Sequence, residues 1–243
     1  MSGVTRYWLV MPAAGESRRF GGTAKQQAPL AGRTVLDVAL QLFIDDARCS
    51  AIALALPAAT LTDSNLRWHA KVTPVAGGAR RCDSVLAGLT ALGTRAAARD
   101  WVLVHDAARP CLSETDLHQL LTLGAAQADG ALLAAPVTDT LKRADPALGS
   151  EGTVSREGLW RALTPQMFRY GPLCAALRDA VSAGREPTDE AQAIEWAGGR
   201  PLLIPALDSN IKITNRQDLD VAMAILAARS ATQGAPMAQG TAT

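Results

Sequence analysis

The sequence predicts an α/β domain built on a mostly parallel sheet that carries helices on both faces. Short apolar runs, often rich in β-branched residues, alternate along the chain with longer stretches of helical periodicity. Several of these runs are apolar at consecutive positions, which is typical of strands that are covered on both faces. The chain has 243 residues and is 48% hydrophobic, which suffices for a buried core and excludes global disorder.

The predicted elements follow one another in a regular order. The strand candidates are Tyr7–Met11, Ala51–Leu56, Val72–Val75, Trp101–His105, Leu132–Pro136 and Leu202–Pro205. The clearest helical periods cover residues 35–43, 85–92 and 117–123. Ser113 and Asp116 predict a cap at the start of the third of these helices, and Thr188-Asp189-Glu190 predicts the start of another.

Two stretches interrupt this rhythm. Residues 138–158 are polar and Gly-rich, and a structureless segment of that length is uncommon inside a compact domain. We therefore expect a functional loop or a projecting arm there. Residues 231–243 are rich in Ala, Gln, Gly and Thr, and this composition predicts a disordered tail. The domain is thus expected to span residues 1–230, with the arm included.

Composition excludes several classes of protein. The 24 Lys+Arg and 23 Asp+Glu residues nearly cancel, so the chain carries no electrostatic footprint for nucleic acid or an anionic membrane. No apolar run reaches the roughly 18–20 residues that span a bilayer, and the N-terminus lacks the layout of a signal peptide. A cytoplasmic location is the default expectation. The cysteines at 49, 82, 111 and 174 have no metal-binding or redox spacing, so ordinary thiols are expected.

The loop after the first strand has the composition of a polyphosphate site. Small residues at 13–15 allow close approach of a ligand, and Arg18, Arg19 and Lys25 follow within a few positions. In an open α/β sheet such a loop lies at the carboxyl edge, where ligands bind. Neither the GxGxxG fingerprint nor a P-loop is present. By itself the pattern also fits a basic surface turn.

Further segments after strands could carry chemistry. Gly77–Val85 opens a helix whose free amides favour an anion, and Ser84 would offer its hydroxyl there; a capped helix with solvated arginines fits equally. Asp106 follows a buried strand, where it could hold a hydroxyl, Mg²⁺ or the next turn. His105 is interpreted as a hydrogen-bonded core residue. Residues 156–166 suggest a Thr-Pro turn, and 209–214 suggest a short strand with a solvated Lys.

Taken together, the motifs resemble those of one enzyme family. They are PAAGESRRF, GGARRCDSVLAGL, VHDAARP, APVTDT, LWRALTPQ, TDEA and SNIKIT, in this order. The set resembles the 2-C-methyl-D-erythritol 4-phosphate cytidylyltransferase family from about Trp8 to about Ala228. VHDAARP together with GGARRCDSV separates this family from other sugar nucleotidyltransferases.

The resemblance implies a Rossmann-like, three-layer nucleotidyltransferase fold whose arm clasps the partner subunit of a homodimer. It implies transfer of CMP from CTP to methylerythritol phosphate, with Mg²⁺ held mainly by the CTP phosphates. The implied catalytic residues are Arg19, Lys25 and Lys212. The implied nucleotide-binding residues are Ala13, Ala14, Gly15, Gly78, Ser84 and Ala107. The implied acceptor-binding residues are Asp106, Arg109, Thr140, Arg156 and Thr164, some of them contributed by the neighbouring subunit.

Two positions depart from the family pattern. Ala24 stands where a Pro usually precedes the catalytic Lys, and Ala79 stands where an acid often follows the Gly pair. A phosphate nucleophile is already ionised at neutral pH, which agrees with the lack of a recognisable general-base motif. The alternatives are a cytidylyltransferase for another polyol phosphate such as ribitol phosphate, a non-catalytic nucleotide-binding protein and, disfavoured by its missing fingerprint, a dinucleotide-dependent oxidoreductase.

Overall fold

A computed structural model describes residues 5–15, 20, 24–62, 67–207 and 209–234. Its centre is a seven-stranded sheet with the strand order β11-β7-β10-β6-β1-β4-β5. These strands are β1 (Tyr7–Pro12), β4 (Cys49–Leu56), β5 (Val72–Ala76), β6 (Trp101–Val104), β7 (Ala131–Pro136), β10 (Trp160–Arg169) and β11 (Leu202–Pro205). Two small hairpins add β2 (Pro29–Leu30), β3 (Arg33–Thr34), β8 (Leu141–Ala144) and β9 (Ser150–Val154). The six predicted strands are all confirmed.

Helices pack on both faces of the sheet. They are α1 (Val35–Asp45), α2 (Ala58–Leu61), α3 (Arg81–Leu92), α4 (Glu114–Gly124), α5 (Tyr170–Ser182), α6 (Glu190–Trp196) and α7 (Gln217–Gly234). The predicted caps are confirmed, because Ser113 accepts a hydrogen bond from the backbone of Asp116, and Asp189 accepts one from Gln192. Both caps satisfy amides that a helix start would otherwise leave unpaired.

The side chains of β1 show why the runs are apolar at consecutive positions. Leu9 and Met11 lie in a core with α1 and α4, whereas Val10 lies in a second core with α3 and α5. Successive side chains of a strand point to opposite faces, so a sheet covered on both sides needs apolar residues throughout. The three-layer arrangement expected from the sequence is confirmed.

One central strand runs against the others. β10 is antiparallel to both β6 and β7, whereas β1, β4, β5 and β6 form parallel pairs. The Thr-Pro turn expected at 164–165 was therefore wrong, because both residues lie within β10. The pairing of β10 with β7 shifts register between Ala162 and Gln166, and an irregularity of this kind is where a strand tolerates proline.

Three outer segments complete the description. Residues 209–214, predicted as a short strand, form irregular structure instead. The hairpin β8–β9 lies within the predicted arm at 138–158 and exposes Leu148 to 87%. Helix α7 extends past the predicted start of the tail at 231, and residues 235–243 lie outside the described part of the chain. Among the described helices, none has the length and apolar character needed to cross a membrane.

Candidate active site

The carboxyl ends of β1, β5 and β6 meet at one edge of the sheet and surround a cavity. Many of the predicted site residues line it: Ala14, Gly15, Lys25, Gly78, Ser84, Asp106, Ala107 and Lys212. The loops that follow parallel strands emerge at the same edge, which is why segments far apart in sequence meet here. The lining also includes Gln26, Arg80 and Arg81, which the sequence analysis assigned no role.

The charge in the cavity is predominantly positive. Lys25 begins a single 3₁₀ turn, Lys212 comes from the irregular segment after β11, and Arg81 is the first residue of α3. Asp106 is the one acid among the described lining residues. With Arg80, four lining cations face this one acid, although Arg80 and Arg81 also pair with Asp83 and Glu190, which do not line the cavity. An excess of lining cations suits a polyanion such as a triphosphate.

Asp106 is the electrostatic centre of the cavity. Its Oδ2 accepts a hydrogen bond from Lys212 Nζ at 2.7 Å, and its Oδ1 accepts one from Arg81 Nε at 3.1 Å. Burial favours the neutral acid, but the charges of Arg81 and Lys212 outweigh it, so the pKa of Asp106 lies well below its ordinary value. Asp106 is therefore a fixed negative charge that orients two cations.

A buried hydrogen-bond chain fixes the loop that carries Asp106. The Asp106 amide donates to Thr164 Oγ1 at 3.1 Å, and Thr164 Oγ1 lies 3.0 Å from His105 Nδ1. His105 Nε2 lies 3.0 Å from the Arg109 carbonyl. Since a carbonyl only accepts, Nε2 carries the proton and Nδ1 accepts from Thr164. Burial lowers the pKa of His105 to about 4, so the ring is neutral at pH 7, as its interpretation as a core residue requires.

A second cavity lies beside the first. Arg109, Asn210 and Lys212 line it, so Lys212 borders both cavities. Arg109 is only 8% exposed, donates to the Asn210 carbonyl at 2.7 Å, and places its Nε 3.8 Å from Asp106. Among the described residues, Arg109 Nε and Asn210 Oδ1 are buried without a hydrogen-bond partner. The lining side chains of Arg109, Asn210 and Lys212 make this second cavity polar as well as cationic.

The glycine pair before α3 allows close packing around the first cavity. A Cβ on Gly77 would collide with the side chains of Ala14 and Ser84, and one on Gly78 would collide with Asp83. Ser84 Oγ accepts a hydrogen bond from the Gly78 amide at 3.1 Å. The hydroxyl that the sequence suggested would be available is therefore already bonded to the loop it supports.

A comparison with known protein families shows to which family the chain belongs. A family model described as 2-C-methyl-D-erythritol 4-phosphate cytidylyltransferase matches residues 7–228. The chain belongs to this family.

Named relatives agree over nearly the whole chain. The 2-C-methyl-D-erythritol 4-phosphate cytidylyltransferase of Acidithiobacillus ferrooxidans is 49% identical over 233 residues, which cover 93% of this chain and 98% of the relative. The enzyme of the same name from Halorhodospira halophila is 48% identical, covering 94% of this chain and 97% of the relative.

Solved structures agree as well. The crystal structure of the Francisella tularensis cytidylyltransferase has a TM-score of 0.80 at 32% identity and covers 91% of this chain and 100% of that one. A 4-diphosphocytidyl-2C-methyl-D-erythritol synthase structure has a TM-score of 0.77 at 34% identity, covering 91% and 99%. The nucleotidyltransferase fold expected from the motifs is thereby confirmed.

Not every expected cytidylyltransferase residue reaches the first cavity. Ala13 is buried, and its carbonyl accepts from the Gln26 amide at 3.3 Å. Thr140 and Arg156 belong to the arm region, where Arg156 donates to the Thr138 carbonyl, and neither lines the two cavities described above. Arg19 lies outside the described residues.

Two charged groups of this family member lie in the quoted motifs but were given no role in the site by the sequence analysis. Arg81 was one of two adjacent arginines that fitted a solvated helix start. Glu190 was interpreted only as an acid in the first turn of α6, but it is 1% exposed and pairs with Arg81. The two residues are 109 positions apart. A local pattern cannot reveal such a pair, because only the folded sheet brings α3 and α6 together.

Proposed function

We propose that this chain transfers CMP from CTP to 2-C-methyl-D-erythritol 4-phosphate and releases pyrophosphate, giving 4-diphosphocytidyl-2-C-methyl-D-erythritol, an isoprenoid precursor of the non-mevalonate pathway. The observation that carries the proposal is the convergence of Lys25 and Lys212, from distant parts of the chain, on one cavity at the carboxyl edge of the sheet. Family membership over residues 7–228 supplies the reaction class and the substrates.

The chemistry follows from charge. An acceptor phosphate is already ionised at neutral pH, so it needs no general base to attack the α-phosphorus of CTP. His105 fits this account, because it is neutral, fully buried and hydrogen-bonded on both ring nitrogens. The cost of the reaction is the approach of two polyanions and the charge that develops on the transferred group and on pyrophosphate. Fixed cations lower that cost by positioning the reactants and stabilising the charge.

The two cavities suggest a division of labour. The first, with Lys25, Gly15 and Gly78, suits the nucleotide. The second, with Arg109, Arg161 and Lys212, suits the phosphate of the acceptor. Lys212 borders both cavities, which supports a role for its ammonium in contacting both reactants. Lys25 and Lys212 would be the catalytic cations, and the family resemblance adds Arg19, which lies outside the described residues.

Mg²⁺ fits the cavity as an ion carried by the nucleotide. Mg²⁺ is commonly held by one or two carboxylates together with substrate phosphates. Asp106 is the one carboxylate among the described lining residues, and both of its oxygens already accept hydrogen bonds from Arg81 and Lys212. No cluster of three or more His, Cys, Asp or Glu suited to a metal occurs among the described residues, so the phosphates of CTP would hold the ion. When bound, the ion would neutralise phosphate charge. Asp106 itself would hold Lys212 and Arg81 in place.

We further propose that the arm completes the acceptor site of a second copy of the chain. A two-stranded hairpin alone is at best marginally stable in water. The β8–β9 hairpin exposes Leu148, and Leu159 and Trp160 at the base of the arm are 42% and 38% exposed. Thr140 and Arg156, which the family resemblance assigns to the acceptor, line neither described cavity of their own chain. A homodimer would bury the apolar residues and bring these two groups to the partner's site.

Pyrophosphate release tests the reaction. The purified protein is assayed with Mg²⁺ and each of CTP, UTP, ATP and GTP, with methylerythritol phosphate or ribitol phosphate as the acceptor. We expect release with CTP and methylerythritol phosphate and little with the other combinations. Equal rates with all four nucleotides would contradict base selection. A preference for ribitol phosphate would assign the enzyme to another acceptor.

A further inference from the structure

A buried carboxylate stands behind the first cavity without lining it. Glu190 is 1% exposed, and both of its oxygens accept hydrogen bonds from Arg81, at 2.6 Å from Nη1 and 3.0 Å from Nη2. Burial raises the pKa of Glu190, and the bidentate salt bridge with Arg81 opposes that shift. The arrangement holds the guanidinium of Arg81 in one plane, because both terminal nitrogens are engaged.

The same guanidinium reaches the cavity. Arg81 Nε donates to Asp106 Oδ1 at 3.1 Å, and the other oxygen of Asp106 accepts from Lys212 Nζ at 2.7 Å. Glu190, Arg81, Asp106 and Lys212 thus form a row of alternating charges. The row joins α6 and α3 to the loop after β6 and to the segment that carries the catalytic lysine. Each member fixes the orientation of the next.

Stability alone is a weak reason to keep such a pair. A buried ion pair is often no more stabilising than well-packed apolar residues of similar volume, since both charges must leave water. An apolar pair, however, would leave Asp106 without one of the two cations that donate hydrogen bonds to it. Asp106 would then be free to rotate towards Lys212 and to bind that lysine with both oxygens. The ammonium would be drawn away from the opening between the two cavities.

We propose that Glu190 is a positioning residue for the transfer reaction, acting through Arg81 and Asp106 on Lys212. The inference rests on the proposed function. It separates two roles within the row, because Lys212 contacts the reactants whereas Glu190 sets where Lys212 stands. Removing the charge of Glu190 is therefore expected to slow turnover without emptying the nucleotide site.

The test is Glu190→Gln, which keeps the size of the side chain, with Glu195→Gln as the matched control. Glu195 lies on the same helix and is exposed. We expect kcat to fall about tenfold to a hundredfold in Glu190→Gln, in line with a small misplacement of a reacting group. KM for CTP should change far less than kcat, and Glu195→Gln should match the wild type.

A double variant distinguishes positioning from general loosening. In a Lys212→Ala background, Glu190→Gln should cause little further loss of kcat, because the group that it positions is already absent. If the Glu190→Gln loss is the same in both backgrounds, or if the single variant keeps full kcat, the proposal is overturned.

A second variant covers the case in which Glu190→Gln does not fold, and the wild-type activity separates this inference from the proposed function. Should Glu190→Gln fail to fold, Arg81→Lys keeps the positive charge but cannot form the bidentate salt bridge, and it should show the same loss of kcat and the same dependence on Lys212. Full kcat in Arg81→Lys would overturn the proposal. Lack of pyrophosphate release by the wild type would refute the proposed function and this inference with it, whereas an active wild type and an equally active Glu190→Gln would refute only the inference.

Discussion

The loop around Asp106 and the β8–β9 arm contribute to the proposed site in opposite ways. Asp106 is 7% exposed, is bonded to two cations through its side chain and to Thr164 through its amide, and is held from several elements at once. The arm is an exposed hairpin, and its Leu148 is 87% exposed. The contrast fits the proposal that one chain preorganises the two cavities, whereas the arm would contribute to the acceptor site of a second copy.

The largest expected effect concerns the two lysines of the preorganised cavities. Lys25→Ala and Lys212→Ala should each lower kcat by about two to three orders of magnitude, the usual loss for a preorganised charge contact. The melting temperature should change little in Lys25→Ala, whereas Lys212→Ala should lower it, because the buried carboxylate of Asp106 loses its partner at 2.7 Å. Steady-state kinetics and thermal unfolding check this. Near-normal turnover in both variants would contradict their catalytic role.

Mixed dimers test whether the arm acts on the partner. With the acceptor well below its KM, Arg156→Ala alone should keep about a tenth of the wild-type rate, and Lys25→Ala alone should be nearly inactive. A hybrid dimer of the two keeps one complete site, formed by the Arg156→Ala core and the other chain's intact arm. A random equimolar mixture should therefore recover about a quarter of wild-type activity. No recovery, with hybrid dimers verified by mass, would show that the arm serves its own chain.

A pair of arginine variants sharpens the contrast further. Arg156→Ala and Arg109→Ala should each raise KM for the acceptor about tenfold, as expected for one lost charge-assisted hydrogen bond. Only Arg109→Ala should also lower the free energy of unfolding, by about 1–3 kcal/mol, because it leaves the buried Asn210 carbonyl without its donor. Kinetics and urea unfolding of both variants measure this. Equal stability losses, or a rise confined to KM for CTP, would contradict the assignment.

Acid should lower the free energy of unfolding of the protein through protonation of His105, which lies beside Asp106. Its pKa is lowered on folding from 6.5 to about 4, so the unfolded chain binds the extra proton first. Stability from this group is complete above about pH 6.5 and is lost as the pH falls towards 4, amounting to about 3 kcal/mol. Denaturant unfolding gives the free energy of unfolding at each pH. Between these pH values, this free energy should change less steeply with pH in His105→Gln than in the wild type. The exposed His69→Gln serves as control, and an equal slope in all three proteins would refute the account.

The smallest effect concerns the residue before Lys25. Ala24 has φ −61°, which proline can adopt, so Ala24→Pro should stabilise the protein by about 0.4–1 kcal/mol and leave kcat equal or slightly higher. Ala28→Pro is the matched comparison at φ −63°. It should destabilise, because the Ala28 amide donates to the Lys25 carbonyl. Destabilisation by both substitutions would show that the backbone at position 24 does not accommodate proline.

The fold was largely predictable because its signals are local. Consecutive apolar residues mark strands covered on both faces, and the caps at Ser113 and Asp189 are read from neighbouring residues. β10 was missed because Thr164-Pro165-Gln166 resembles a turn. In the structure Gln166 is buried and its amide is satisfied by Asp189 and the Ala191 backbone, both far along the chain.

The site was predictable only where its residues follow strands. Lys25, Asp106 and Lys212 stand in motifs, and the topology of a parallel sheet explains why the loops after its strands meet. The segment 209–214 alternates like a strand, but the Ile213 amide bonds to the Ala108 carbonyl and Asn210 bonds to Thr164. These contacts draw the segment away from any strand ladder and towards the site. Cytoplasmic location, Mg²⁺ and the dimer stay predictions.

A crystal structure of the protein with CTP and Mg²⁺ tests the central claim most directly. The account predicts one triphosphate in the first cavity, with the ammonium groups of Lys25 and Lys212 each within about 3 Å of its phosphate oxygens. A nucleotide bound elsewhere, or one that reaches only one of these lysines, would contradict it.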